Sequence, residues 1–127
     1  MTTRAQLMAE MDAIEAVARR LAAVASRQDA SRKQDLVAAR RELAMRMMTV
    51  MTIGQEYAPI RQNEALYAEL RQRLSVLRAA IAEHQARWSA VAIDSDDVAY
   101  LESSATVQAE GRAFMLWIRS IVEASPA

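Results

Sequence analysis

Residues 60–91 read IRQNEALYAELRQRLSVLRAAIAEHQARWSAV. Ile60, Glu64, Tyr67, Leu70, Leu74, Leu77, Ile81, His84, Trp88 and Val91 recur in this stretch at spacings of three and four. That period places them on one face of a helix turned towards a core, where a strand would need a period of two. Glu64 and His84 are the polar interruptions of the row.

Three more rows flank it. Leu7, Met11, Ile14, Ala18, Leu21 and Ala25 form the first, and Leu36, Leu43, Met47 and Val50 the second, with Arg40 interrupting. Tyr100, Ser104, Val107, Gly111, Phe114, Ile118 and Ile121 form the last. The spacing predicts four helices, over 3–27, 31–54, 59–93 and 95–124, in a single domain spanning 1–127. Ser31 and Gln34 match a capping box. Gly54 is placed to end the second helix and Pro59 to sit in the first turn of the third. Ser95 is the expected cap of the fourth, with Asp96 and Asp97 favouring its positive end. Joining the second and third helices into one, kinked at Pro59, is the alternative, and it favours an intertwined dimer.

Short connections imply antiparallel neighbours, so the expected fold is all-α, an antiparallel up-down-up-down four-helix bundle. Pairing the last two helices about Asp94 sets Trp88 opposite Tyr100, His84 opposite Ser104 and Leu77 opposite Gly111. Pairing the first two about Gln28 and Asp29 sets Leu21 by Leu36, Ile14 by Leu43 and Leu7 by Val50.

Composition agrees with one helical domain. The chain has 127 residues, 53% of them hydrophobic, with only 2 Gly and 2 Pro to supply turns. Formal net charge is zero, so no global field draws in nucleic acid or an anionic membrane. Lys33 is the lone lysine among many arginines, a bias that fits a GC-rich bacterial genome. With no cysteine there is neither a disulfide nor a thiolate metal site. Arg4, Glu10 and Asp12 precede any long apolar run, and no window approaches the ~18 apolar residues of a membrane span, so the expected location is cytoplasmic.

Chemistry finds little purchase. Bundle metal sites use Glu-x-x-His pairs, but this chain has one histidine and residue 81 is Ile. No metal or other cofactor is expected. His84 opposite Ser104 reads as a structural polar layer, without the third partner or oxyanion site of a hydrolase. Lys33, Arg40, Arg41, Glu42 and Gln85 resemble the residue inventory with which all-helical chorismate mutases hold a dicarboxylate, although the spacings depart from that family's pattern. A solvated charged face accounts for them. The eight basic and three acidic residues from Arg19 to Arg46 would meet the five acidic residues from Asp94 to Glu110 at the end carrying both short turns.

One feature points outward. Met45, Met47, Met48, Val50, Met51 and Ile53 step around most of the second helix, and Phe114 to Ile118 are five apolar residues in a row. The seams claim Met47, Val50, Phe114 and Ile118. Met45, Met48, Leu116 and Trp117 are left as the expected protein-binding surface, at the end where all 8 methionines fall. Methionine filling an irregular core end is the alternative reading.

The helical hairpin followed by a long helix running from Leu70-Arg-Gln-Arg-Leu74-Ser-Val-Leu77 to Trp88 resembles the small flagellar export chaperones. The resemblance covers the layout of the first three helices and carries over no individual residue. It implies a cytoplasmic bundle that holds apolar helical segments of export substrates. The expected function is non-enzymatic binding of a protein partner. The alternatives are a self-associating homodimer and, further off, a small enzyme with a polar site between helices.

Overall fold

The computed structural model describes residues 1–125. Its helices are α1 (Arg4–Ser26), α2 (Arg32–Glu56), the short α3 (Ala58–Arg61), α4 (Glu64–Arg87) and α5 (Asp97–Ala124), with a 3-10 turn at Ala92–Asp94. The described residues are thus all-helical, with four long helices and no strand. An isolated bridge ties Thr2 to Tyr57.

The helix ends depart from the sequence reading in instructive ways. The reciprocal capping box lies at Thr3 and Gln6, where Gln6 N donates to Thr3 Oγ1 (3.0 Å) and Thr3 N to Gln6 Oε1 (2.8 Å). Ser31 does not cap α2: its hydroxyl donates to Asp29 Oδ2 (2.7 Å) and accepts from Arg27 Nη2 (2.9 Å). Asp96 caps α5, accepting from Ala99 N at 3.0 Å, while Ser95 Oγ donates back to Ala92 O. A local acceptor diverted each serine from the helix N–H it was expected to serve.

The third predicted helix is broken twice. Pro59 sits in the first turn of α3, as expected. Asn63 then leaves helical geometry and caps α4, accepting from Leu66 N at 3.2 Å. The other end stops at Arg87, so Glu64 is an exposed first-turn residue and Val91 is exposed beyond the helix. Tyr57, with extended backbone, separates α2 from α3, so the continuous kinked helix is not formed. Gly54 lies inside α2, which runs on to Glu56. A Cβ there would stand 3.1 Å from Leu70 Cδ2, so this glycine permits close approach to α4 and ends nothing.

The main helix contacts set α1 against α2 and α5, and α4 against α2 and α5. Contacts between α4 and α5 descend one helix as they climb the other. The Trp88 and Tyr100 rings are 5.8 Å apart, and the Arg73 guanidinium lies 4.9 Å from the Trp117 ring. Ion pairs Arg20–Glu42 (2.8 Å) and Arg46–Glu10 (3.3 Å) join α1 to α2 in the same opposed sense.

The core divides into two clusters. The larger is built on Leu7, Met11, Val50, Leu70, Leu74 and Ile118. The smaller gathers Val24, Leu36, Trp88, Ile93 and Tyr100 at the end carrying the α1–α2 and α4–α5 connections. Arg32 staples that end. It is 3% exposed, donates to Val24 O and Ala25 O (both 3.2 Å) at the C-terminus of α1, and pairs with Asp94 at 3.1 Å. Lys33 meets the same carboxylate at 2.7 Å. The basic and acidic stretches therefore do meet across this end.

Candidate functional site

Between the two clusters the apolar seams are interrupted. Arg40 from α2, His84 and Gln85 from α4, and Tyr100, Ser104 and Gln108 from α5 surround an interior cavity of about 30 Å³. That is room for a water or two, or for a group of similar size. His84 Nδ1 shares a 2.7 Å hydrogen bond with Ser103 Oγ, and its ring stacks on Tyr100 at 6.0 Å. The expected partner, Ser104, is buried beside the cavity, but the hydroxyl that meets the imidazole is its neighbour's. One residue turns a helix by about 100°, and the imidazole reaches sideways off the seam.

The electrostatics follow from burial. Desolvation pulls the His84 pKa below its ordinary value, and nearby Arg40 lowers it further, so the imidazole is neutral at pH 7. Desolvation also lowers Arg40, against a smaller opposing effect of Tyr100. Burial raises Tyr100, while Arg40 and Arg32 oppose the rise. No carboxylate lines the cavity. Arg40 Nη2 is shut off from solvent and meets no hydrogen-bond partner among the described residues. A buried donor in that condition is uncommon in folded proteins and calls for an explanation such as a bound molecule.

The bundle is open on both flanks of this layer. Between α2 and α4 lies a cleft of about 600 Å³, floored by Leu43, Met47, Leu74 and Ile81. Ala44 and Met48 form one wall, and Arg71, Ser75, Arg78, Ala79 and Ala82 the other. Between α1 and α5 lies a second cleft, of about 520 Å³, over Ile14, Leu43, Leu77, Ile81 and Phe114. Ala18, Ala22 and Gly111 open it. A Cβ at Gly111 would meet nothing within 4 Å, so the expected interlock with Leu77 is replaced by empty space.

The four expected binding residues do not make one patch. Met45, Met48 and Leu116 are 58%, 65% and 69% exposed. Met48 rims the α2–α4 cleft, Leu116 rims the α1–α5 cleft, and Met45 lines neither. Trp117 is partly buried, packed 6.2 Å from Phe114 with the Arg73 guanidinium over its ring. Successive residues on one helix face different neighbours, so the apolar run from Phe114 to Ile118 is shared between the core and two flanks. The methionines divide likewise: Met11, Met47 and Met115 are buried, while Met1, Met45 and Met48 are exposed.

The inventory of Lys33, Arg40, Arg41, Glu42 and Gln85 is also split. Arg40 and Gln85 meet at the cavity, Lys33 pairs with Asp94, Glu42 pairs with Arg20, and Arg41 is exposed. Arg40 is partly exposed, but it lines the cavity and its Nη2 is shut off from solvent. Its position within the second apolar row was the signal that could have revealed it. The α1–α5 cleft had a fainter sign, small residues standing where Ala18 and Gly111 fall on their seams.

Among the described residues no group of His, Asp or Glu is arranged to hold a metal ion, and no helix is long and apolar enough to cross a membrane. No protein-family model matches the chain, and neither the curated proteins nor the solved structures contain a match to it.

Proposed function

We propose that the protein is an antiparallel up-down-up-down four-helix bundle that binds a partner protein without catalysis, receiving an amphipathic helix in the α2–α4 cleft. The observation that carries this reading is the cleft's chemistry. Its floor is apolar, Met48 offers an adaptable thioether at one rim, and Arg71 and Arg78 stand on the other. Neither arginine has an ion-pair partner among the described residues, and no acidic side chain lines the cleft. An occupant with an apolar stripe and acidic flanks would satisfy both features. Holding such a helix in the cytoplasm is what an export-type chaperone does.

The test uses two synthetic amphipathic helical peptides with the same leucine stripe, one flanked by glutamate and the other by lysine. Fluorescence anisotropy should show the glutamate peptide binding at least about tenfold more tightly, a difference of about 1.4 kcal/mol. Met48→Glu with Arg78→Glu should abolish that preference while leaving the helical circular dichroism spectrum unchanged. Equal binding of both peptides, or of neither, would remove this reading.

A second copy of the chain is the other candidate occupant. Val98 and Leu101 on α5 are 67% and 42% exposed, beside Asp97 and Glu102, which gives an apolar ridge with acidic edges. Concentration-dependent sedimentation abolished by Leu101→Arg would favour this homodimer over a foreign helix.

A further inference from the structure

The α1–α5 cleft and the Arg40 cavity adjoin each other. Leu21, Leu43, Ile81, Val107 and Gln108 line both. Arg40, Tyr100 and Ser104 line the cavity, with no carboxylate among its lining residues. In the cleft, Val107, Phe114 and Met115 on α5 and Ile14, Ala18 and Leu21 on α1 supply hydrocarbon, and Glu15, Arg19 and Arg112 supply charge. Ser104 in the cavity and Met115 in the cleft are separated by about 16 Å along α5 at the helical rise, so the two voids together are elongated. The cleft, about 520 Å³, falls in the range of small-molecule sites.

We propose that cavity and cleft join to form one binding site for a single-chain amphiphile, with its carboxylate against Arg40 and its hydrocarbon tail in the α1–α5 cleft. Two features choose that occupant. The first is the buried Nη2 of Arg40, a charged donor without a partner, which a carboxylate would satisfy in the geometry that guanidinium groups favour. The second is width. Gln108 Nε2 donates to Ala18 O at 3.0 Å and so spans the gap between α5 and α1. A hydrocarbon chain passes beneath such a strap, whereas a helix of about 10 Å diameter does not. Charge at the mouth agrees. The one acid that lines the cleft, Glu15, is held by Arg119 at 2.9 Å. Arg19 and Arg112 have no ion-pair partner among the described residues and present positive charge at the rim. This site touches the α2–α4 cleft at Leu43, Met47, Ile81 and Gln85, while Arg40, Gln108 and Gly111 lie outside that cleft.

The experiment compares dodecanoate, dodecanol and acetate by isothermal titration, with the amphiphiles below their micellar concentrations. Dodecanoate should bind, dodecanol should bind about ten- to a hundredfold more weakly for want of the charged hydrogen bond, and acetate should not bind measurably. Arg40→Met should bring dodecanoate down to the affinity of dodecanol. Gly111→Leu, which extends a side chain into the open cleft, should weaken both amphiphiles. Should Gly111→Leu fail to fold, amide NMR shifts in the wild-type protein answer the same question. Dodecanoate should then perturb Val107 and Gly111 as well as residues around Arg40. No binding of dodecanoate, equal binding of dodecanoate and dodecanol, an Arg40→Met variant that keeps the preference, or perturbations confined to another face would each overturn the proposal. Acetate binding as tightly as dodecanoate would reduce the site to a small-anion cavity and overturn it equally.

Discussion

At the scale of the residue, His84 shows how burial fixes chemistry. Its folded-state pKa is below the ordinary 6.5 because desolvation, helped by Arg40, disfavours the imidazolium. The unfolded chain therefore binds more protons than the folded one just below pH 6.5, and stability falls there as pH drops towards the folded pKa. Above 6.5 the contribution is present in full. His84→Gln has no such proton to take up. The wild-type melting temperature should therefore fall more steeply than that of His84→Gln between pH 7.5 and pH 5.5. Parallel profiles would show that the imidazole is not held neutral. The same residue marks a limit of reading sequence. A histidine on the seam was visible as a polar layer, but its bond to Ser103 depends on where the ring leans. Arg40 was visible too, as an interruption. That one nitrogen of its guanidinium is shut off from solvent depended on how residues of α1, α4 and α5 surround it.

At the scale of the element, the two glycines make opposite predictions from the same substitution. Both lie in helices, where glycine is about 1 kcal/mol less favourable than alanine. Gly111→Ala adds a methyl group where nothing lies within 4 Å, so it should stabilise the protein by roughly 0.5–1 kcal/mol. Gly54→Ala sets a methyl 3.1 Å from a Leu70 that is 0% exposed and cannot retreat into solvent. Crowding there should exceed the propensity gain and give a net loss of roughly 1 kcal/mol. Urea unfolding of the two variants measures both, and a stabilised Gly54→Ala would show that α2 and α4 have slack at this crossing. Helix ends teach a related lesson. Ser31 and Ser95, the expected caps, are held by local bonds to Asp29 and Ala92, and Asp96 caps α5 in place of Ser95. The long third row proved to be two helices because Asn63 competes for the backbone as soon as α3 has turned.

At the scale of the whole molecule, the apolar surplus of α2 and α5 is distributed around the bundle. Met48→Glu alters an exposed rim residue, so the melt should shift by less than about 0.5 kcal/mol in stability. Trp117→Glu removes a ring packed on Phe114 beneath Arg73, and should destabilise by about 2 kcal/mol or more. Thermal melts of the single variants separate the two, and equal small shifts would return Trp117 to the surface. The sequence by itself determined that the chain is all-helical and which residues fill most of the four seams. Periodicity is a local property, and burying an apolar stripe needs only that some partner cover it. It also determined that the basic stretch around Arg32 and the acidic one around Asp94 would meet, because both border short connections. Tertiary structure decided the rest. Whether Gly111 faces a filled layer or a cleft, whether Arg40 points out or in, and whether Met48 and Leu116 share a surface all depend on the separation and rotation of helices distant in sequence. Those are set by the summed volumes of side chains from four helices at once, a quantity that no single row of residues contains.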